Sequence, residues 1–572
     1  MASTPKEDRV ATARAGLEGW SLDRLVGQLF SLAVGHHSPG GIRAYGDTAQ
    51  RDEVEAVADI VRRRHIGGVC YFPSSAQGDS PERIRETVTR LQAAAGPVPL
   101  LISTDQENGT VNRLRQGATV FPSAMAVAAL DDPGAAEELA YLSGLELRSV
   151  GITHTFAPVA DVNSEPRNPV IGVRSPGSNP RRVAAHVSAV VTGLARAGVA
   201  STLKHFPGHG STVVDSHLGL PWLRCGREEW ESGEAIPFCA GLRAGADSVM
   251  IGHLVVPALD PSGVPATYSR PIVTGLLRDV LGFDGLAVTD ALDMAGARLA
   301  EGPGEACVAA LAAGVDQILM TPDPEGCIEA VIRAVEEGRL NRDQLLASAR
   351  RVLTLKARLG LGRSWMDPDL PYGTPGHHDR AASAAVGSMT WRDPARPWRL
   401  PPPPARIEVI GHERDPGLRG APVRDILATV IAEAGYEVTR TEIDADAGQA
   451  GAPPADAARV ATPSADAIVV VTRDGWRDPA QRAMLERLEG LGPDGPEVCV
   501  VAARSPYDAA LADERLPMLL MFGDTGPGAR AAASVLLGER EADGHLPVDL
   551  VDRTGRVRWP LALEPVTRGE VL

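Results

Sequence analysis

Seven short apolar runs recur through the first 320 residues: Gly68 to Phe72, Val98 to Thr104, Ile152 to Phe156, Val199 to Leu203, Ser248 to Ile251, Leu286 to Thr289 and Gln317 to Met320. Each has the length of a strand and the near-continuous apolar character of one buried on both faces. Between them lie amphipathic stretches of helical spacing, such as Pro81 to Ala95 and Pro180 to Ala197. Strands alternating with helices predict a parallel sheet, either open and doubly wound or closed into a barrel. The strand exits decide between the two. Asp105, Asp161, Lys204, His253 and Asp290 follow five different runs, and polar groups at the C-terminal ends of several parallel strands converge on one mouth in a (β/α)8 barrel. A doubly wound sheet gathers its site at one switch point, usually behind a glycine-rich first turn. The one comparable glycine cluster, Gly523 to Gly528, lies far downstream.

Two helices are predicted to close the barrel. Ile328, Val331, Ile332 and Val335 have helical spacing, and Gly338 is placed to end that helix. Asn341 with Gln344 then forms a capping-box pattern for a second helix running to about Leu359. Beyond Gly360 the composition changes: Pro368, Pro371, Gly373, Pro375, Gly376 and the run Pro401 to Pro404 mark a linker. Four further apolar runs, Ile407 to Ile410, Ala467 to Thr472, Val498 to Ala502 and Met518 to Met521, predict a second α/β unit. The expected architecture is therefore a TIM-type (β/α)8 barrel over residues 1–362, a linker and entry segment over 363–404, and a smaller α/β sandwich domain over 405–572.

Composition narrows the partners. At 572 residues and 44% hydrophobic, the chain can bury one large core and a second smaller one. Its net charge of −16, with no basic block to neutralise a phosphate track, argues against nucleic acid and favours a small-molecule or carbohydrate substrate. Met1 to Val10 is polar, and no run approaches the ~18 apolar residues of a membrane span, so no membrane partner and a cytoplasmic location are expected. The six cysteines (70, 225, 239, 307, 327 and 499) form no Cys-x-x-Cys pair and are expected as free thiols.

The densest chemistry lies in Lys204-His205-Phe206-Pro207-Gly208-His209-Gly210 and the following Asp215-Ser216-His217. Lys204 is one of only three lysines in a chain that otherwise uses arginine, which points to a need for a compact point charge. His205 and His209, four apart, would share a face only on a helix, and Pro207-Gly208 breaks that helix; no metal set is assigned. Asp215, two residues before His217, can hold one imidazole nitrogen and leave the other to exchange a proton, or can simply form an Asx-type turn. Asp290, closing a buried run, can serve as the nucleophile of a retaining glycosidase with an acid/base group on another loop, or as a helix N-cap. Asp293, ahead of Met294 to Leu299, suits the capping role better.

Taken together, Lys204 to Gly210, Asp215-Ser216-His217 and Asp290-Ala291-Leu292-Asp293-Met294 resemble glycoside hydrolase family 3, in its bacterial β-N-acetylglucosaminidase branch. The similarity extends through Asp105-Gln106-Glu107 with Val111 and Arg113, Phe156 to Val162, Asn168 to Gly172 with Arg174-Ser175, His253 to Asp260, Pro265 to Thr267, Leu281 to Gly285, and, near the end, Gly538-Glu539 and Gly544 to Val548. The resemblance implies a retaining exo-β-N-acetylglucosaminidase acting on a terminal GlcNAc without cofactor or metal. It makes Asp290 the nucleophile, His217 the general acid/base and Asp215 its partner. Asp105, Arg113, Arg174, Lys204 and His205 would hold the sugar hydroxyls. Family β-glucosidases commonly take a glutamate acid/base from the second domain; the Asp-Ser-His motif implies that this chain does not. An imidazole acid repels an anionic acceptor less than a carboxylate would, so a phosphorylase of the same sugar is the competing enzyme reading, and a non-catalytic sugar-binding protein the third. Three positions depart from the family pattern: Asn108 and Thr110, where Gly and Arg are usual, and Pro176, where an aromatic is usual.

Overall fold

The computed structural model of the protein describes residues 8–35, 53–74, 78–411, 422–443, 465–488, 496–552 and 556–560. Most of the polar N-terminal stretch, Lys6 included, lies outside the described residues. Eight parallel strands form the first domain: β1 Phe30–Val34, β2 Gly68–Tyr71, β3 Leu101–Thr104, β4 His154–Thr155, β5 Thr202–Phe206, β6 Ser248–Ile251, β7 Leu286–Thr289 and β8 Ile318–Leu319. One arc runs β4-β3-β2-β1-β8 and the other β5-β6-β7. Parallel bridges from His154 to Ala200 and from Val288 to Gln317 join the arcs into a closed barrel. Strand residues are buried throughout, as expected when side chains fill the lumen and helices cover the outside. The strand β1 is absent from the seven apolar runs of the sequence. Only Gln28 and Leu29 separate it from the helix Leu22–Gly27, so no proline or turn cluster divides the mainly apolar Leu25 to Val34 into helix and strand.

The outer helices begin with a recurrent signal. Ser80, Asp132, Asn179 and Asp323 each cap a helix whose next residue is proline, and each side chain accepts from a first-turn N–H. Proline supplies the helical φ and lacks only an N–H that would have had no partner. The two closing helices are Pro324–Glu336 and Arg342–Arg358. Asn341 caps the second by accepting from Asp343 N, but no capping box forms: Gln344 reaches instead to the Leu311 carbonyl. A tertiary partner, the Leu311 carbonyl, has outcompeted the local one, the Asn341 N–H.

The second domain is a six-stranded sheet, in order β11-β10-β12-β13-β14-β9, with β9 Thr390–Trp391, β10 Arg406–Gly411, β11 Glu437–Glu442, β12 Ala467–Thr472, β13 Glu497–Ala502 and β14 Met518–Leu520. Only β9 is antiparallel. It arises, with the helix Pro375–Gly387, from the segment between the domains. Alternate residues of β12 serve two cores: Val469 and Val471 pack against helices Val423–Glu433 and Gly526–Leu536, while Ile468 and Val470 pack against Pro479–Leu488. The latter core also takes in Met125, Ala126, Ala129 and Val173 of the barrel, so that face of the sheet is sealed by the first domain. All six cysteines are free, and among the described residues no helix is long and apolar enough to cross a membrane.

Candidate active site

A cavity of about 350 Å³ opens at the C-terminal ends of the barrel strands. Asp105 enters it from the end of β3, Lys204 and His205 from β5, Asp290 from the end of β7 and Met320 from the end of β8. A larger hollow, about 720 Å³, lies at the opposite end beside Asp247 and Asp284, ahead of β6 and β7. Its arginines Arg350, Arg351 and Arg358 are already paired with Glu18, Asp284 and Asp247. Barrel enzymes carry their chemistry at the C-terminal end, which singles out the smaller cavity.

The cavity floor is a closed ionic cluster. Lys204 Nζ donates to Asp105 Oδ1 at 2.8 Å and meets Glu107 Oε1 at 2.5 Å. Arg174 grips Glu107 with two parallel bonds, Nε to Oε2 and Nη2 to Oε1, both 2.8 Å, and Nη1 donates to Val170 O at 2.9 Å. Arg113 Nη2 stands 3.6 Å from Asp105 Oδ2 and its guanidinium lies over the Phe72 ring. Burial alone would raise both carboxyls. Lys204 and Arg113 at Asp105, and Arg174 and Lys204 at Glu107, reverse this and hold both below the ordinary carboxylate range. Burial likewise lowers the Lys204 ammonium, but Asp105 and Glu107 raise it above its ordinary value. All these groups stay ionised, rigid and able to meet sugar hydroxyls with charged donors and acceptors.

Asp161, fully buried, organises the neighbouring turn. It accepts from His205 Nδ1 at 2.7 Å, His205 N at 3.1 Å and His209 N at 2.7 Å, which turns His205 Nε2 toward Arg174 Nη2 at 3.4 Å. His209 Nδ1 meets Thr212 Oγ1 at 2.6 Å, while its Nε2 is buried without a hydrogen-bond partner on the cavity wall. Burial, then the neighbouring His205, pushes His209 down to about 4. The three histidines of the stretch thus answer to three different groups, Asp161, Thr212 and Asp215.

Two groups can act on a bond held over this floor. Asp290 Oδ1 accepts from Ala291 N at 2.8 Å, and His253 Nε2 donates to Ala291 O at 3.0 Å, fixing the turn. Burial would raise the Asp290 carboxyl, but His205, His253, the Ala291 N–H and Lys204 bring it below the usual value, so it is an ionised carboxylate. His217 stands on the rim, its Nδ1 2.7 Å from Asp215 Oδ1. The Asp215 bond raises the imidazole above its ordinary value against partial burial, and the charge of Asp290 adds to this. A low-lying carboxylate and a raised imidazole on one cavity is the separation expected of a nucleophile or base and a proton donor.

All eight residues expected at the site come to this mouth, seven lining the cavity and Asp215 behind His217. Glu107 and His209 were missed. Glu107 lies two beyond Asp105 on the same exit loop but carries no mark of its partners, and the spacing raises His209 only as a metal ligand with His205. Asp293 is not an N-cap: only the single turn Ala295–Ala297 follows, flanked by Met294, and Asp293 lines the cavity instead. Asn108 holds φ +71°, the left-handed geometry that the glycine usual at this position adopts without strain and that asparagine tolerates. Pro176 packs beside Val127 and Pro547 around a separate small hollow, so its departure from an aromatic leaves the cavity lining unchanged.

A TIM-type barrel with an ionised aspartate and a carboxylate-backed histidine over a polar floor is an arrangement suited to a glycoside hydrolase, and the chain's relatives place it in that class. The chain belongs to glycosyl hydrolase family 3: the profile of that family's N terminal domain matches residues 21–355. It is 34% identical over 411 residues to a β-hexosaminidase A of Pseudoalteromonas piscicida, covering 66% of this chain and 68% of that one. It is 30% identical over 460 residues to a β-N-acetylglucosaminidase/β-glucosidase of Cellulomonas fimi, covering 76% and 77%. The solved family 3 β-N-acetylglucosaminidase of Paenibacillus sp. str. FPU-7 superposes with a TM-score of 0.80 at 32% identity, over 93% of this chain and 99% of that one.

Proposed function

We propose that this glycoside hydrolase is a retaining, exo-acting β-N-acetylglucosaminidase that releases a terminal β-linked GlcNAc. The carrying observation is the opposite tuning of Asp290 and His217 on one cavity; the hexosaminidase and β-N-acetylglucosaminidase relatives supply the sugar. The ionic floor binds the sugar hydroxyls and blocks passage of a longer chain. Asp290 attacks the anomeric carbon from the face opposite the leaving group, and the C1–O bond breaks as His217 Nε2–H passes its proton to the departing oxygen. Asp215 keeps that proton on Nε2 by holding Nδ1. In the second step the now basic Nε2 takes a proton from water, the hydroxide attacks C1, and Asp290 leaves, restoring the β configuration.

A 5-fluoro GlcNAc donor with an activated leaving group should label Asp290, and a mass spectrum placing the label on another residue would sink the assignment. His217→Asn should slow glycosides with poor leaving groups by about 10²- to 10⁴-fold and activated aryl glycosides far less. The imidazole also leaves room for phosphate as acceptor. Formation of GlcNAc 1-phosphate at high phosphate would move the reading from hydrolase to phosphorylase.

A further inference from the structure

A short turn of the second domain braces a loop that borders this cavity. Residues 473–478, between β12 and the helix Pro479–Leu488, stand against the loop that follows β4. Arg477 spans three consecutive carbonyls of that loop: Nη1 donates to Pro169 O at 3.2 Å, and Nη2 donates to Arg167 O at 3.4 Å and to Asn168 O. Asn168 is buried and uses both ends of its amide. Nδ2 donates to His209 O at 2.8 Å and Gly210 O at 3.2 Å, while Oδ1 accepts from Val170 N at 3.0 Å and Ile171 N at 2.8 Å. A second strut lies alongside, where Asn163 Nδ2 donates to Tyr507 Oη at 2.9 Å. Asp508, next to Tyr507, accepts from Trp476 N at 3.1 Å and makes the two struts one unit.

We propose that Arg477 is a positioning residue: through Asn168, the second domain holds the main chain at His209–Gly210 and so sets the reach of the Asp215–His217 dyad toward the departing oxygen. This rests on the reading of His217 as the acid/base. The sugar-binding groups have anchors of their own within the barrel, Arg174 on Glu107 and His205 on Asp161. The proton-handling loop is held at its start by Asp161 on His209 N, Glu234 on Ser211 Oγ and Asn168 on the His209 and Gly210 carbonyls, and further on by Gly296 N on Ser216 O. Arg174 also touches the braced loop after β4 at the Val170 carbonyl but keeps its two bonds to Glu107, whereas the His209–Gly210 carbonyls lose their Asn168 donor, so releasing Arg477 acts first on proton transfer.

The test compares Arg477→Met, Asn168→Asp, their double variant and His217→Asn on methyl and 4-nitrophenyl β-N-acetylglucosaminides. Asn168→Asp keeps the acceptor toward Val170 and Ile171 and replaces the donor toward the two carbonyls. Arg477→Met should lower kcat on the methyl glycoside by about tenfold to a hundredfold, the scale of a small misplacement of a catalytic group. The activated substrate should lose little, KM should hold, and Arg477→Lys should recover part of the loss. The double variant should be no slower than Asn168→Asp alone, because both act along one path. Equal kcat losses on the two substrates, a raised KM, or additive losses in the double variant would overturn the proposal. If His217→Asn itself shows no dependence on leaving group, the acid/base reading falls and takes this one with it. If His217→Asn shows it and Arg477→Met matches the wild type, the positioning role alone is rejected.

Discussion

Lys204, on the cavity floor, is 3% exposed and touches two carboxylates, whereas the His217 side chain on the rim is 53% exposed and touches one. On the proposed reading the floor presents fixed charges to a neutral sugar; it is largely buried, multiply bonded and assembled from three strand exits, those of β3, β4 and β5. The rim must trade protons with water and let a leaving group pass, so it is open and held through its backbone. One cavity thus combines a part whose disruption threatens the fold with a part whose disruption threatens only the reaction.

The largest effect that would break this contrast is expected at Lys204. In Lys204→Met, Asp105 and Glu107 lose their shared counter-charge in a buried site, which costs about 3–5 kcal/mol and should show as an earlier midpoint in chemical denaturation. His217→Asn, on the open rim, should move that midpoint by less than about 0.5 kcal/mol. The floor also predicts the shape of stability against pH. Glu107 is depressed, so its contribution is present above the ordinary carboxylate value, about 4.3, and is lost as pH falls through its lower folded value. Lys204 is raised, so its contribution is full below about 10.4 and is lost as pH rises through its higher folded value. The stability difference between wild type and Lys204→Met should therefore be flat between those limits; a slope near neutrality would assign the effect to other groups.

A smaller effect, on rate alone, is expected at Asp215. The carboxylate favours protonated His217, and that acid form is lost as pH rises through the raised imidazole value. Asp215→Asn removes the preference, so the basic limb of the kcat/KM profile should move to lower pH. The rate on a poor leaving group should fall on the order of 10²-fold with the denaturation midpoint unchanged. An unmoved basic limb would show that another group sets it.

The same contrast explains what the sequence could and could not disclose. Asp105, Lys204 and Asp290 were legible because each ends a buried strand, and the barrel makes strand ends converge. Asp215 and His217 were legible because their pairing is local, two residues apart. The interdomain contacts were not: Arg477 lies more than 300 residues from Asn168, and nothing in either stretch marks the other. For β11, the obstacle was its pattern. Glu437–Glu442 mixes charged residues with Val and Thr at an exposed edge of the second sheet, where burial does not impose an apolar run. Glu107 escaped because its importance comes from being shared by Lys204 and Arg174, a property of their meeting rather than of the residue.

The smallest expected effect concerns the outer side of the rim. Seven large apolar residues are exposed among the described ones, and four of them, Val213, Val214, Leu218 and Trp222, fall within ten positions around His217. If His217 is the proton donor proposed above, it stands on the leaving-group side of the bond and the aglycone departs past these residues. Leu218, 83% exposed and adjacent to His217, can gain only partial burial against it, so Leu218→Ser should raise KM for long alkyl glycosides by about three- to fivefold, on the scale of one buried methylene. The methyl glycoside should be unaffected and kcat should hold. The measurement is log(kcat/KM) against alkyl chain length from methyl to octyl: a rising line in the wild type that flattens in Leu218→Ser locates apolar recognition on the rim. A line already flat in the wild type would mean that the aglycone leaves by another side, and that the open rim serves proton exchange alone.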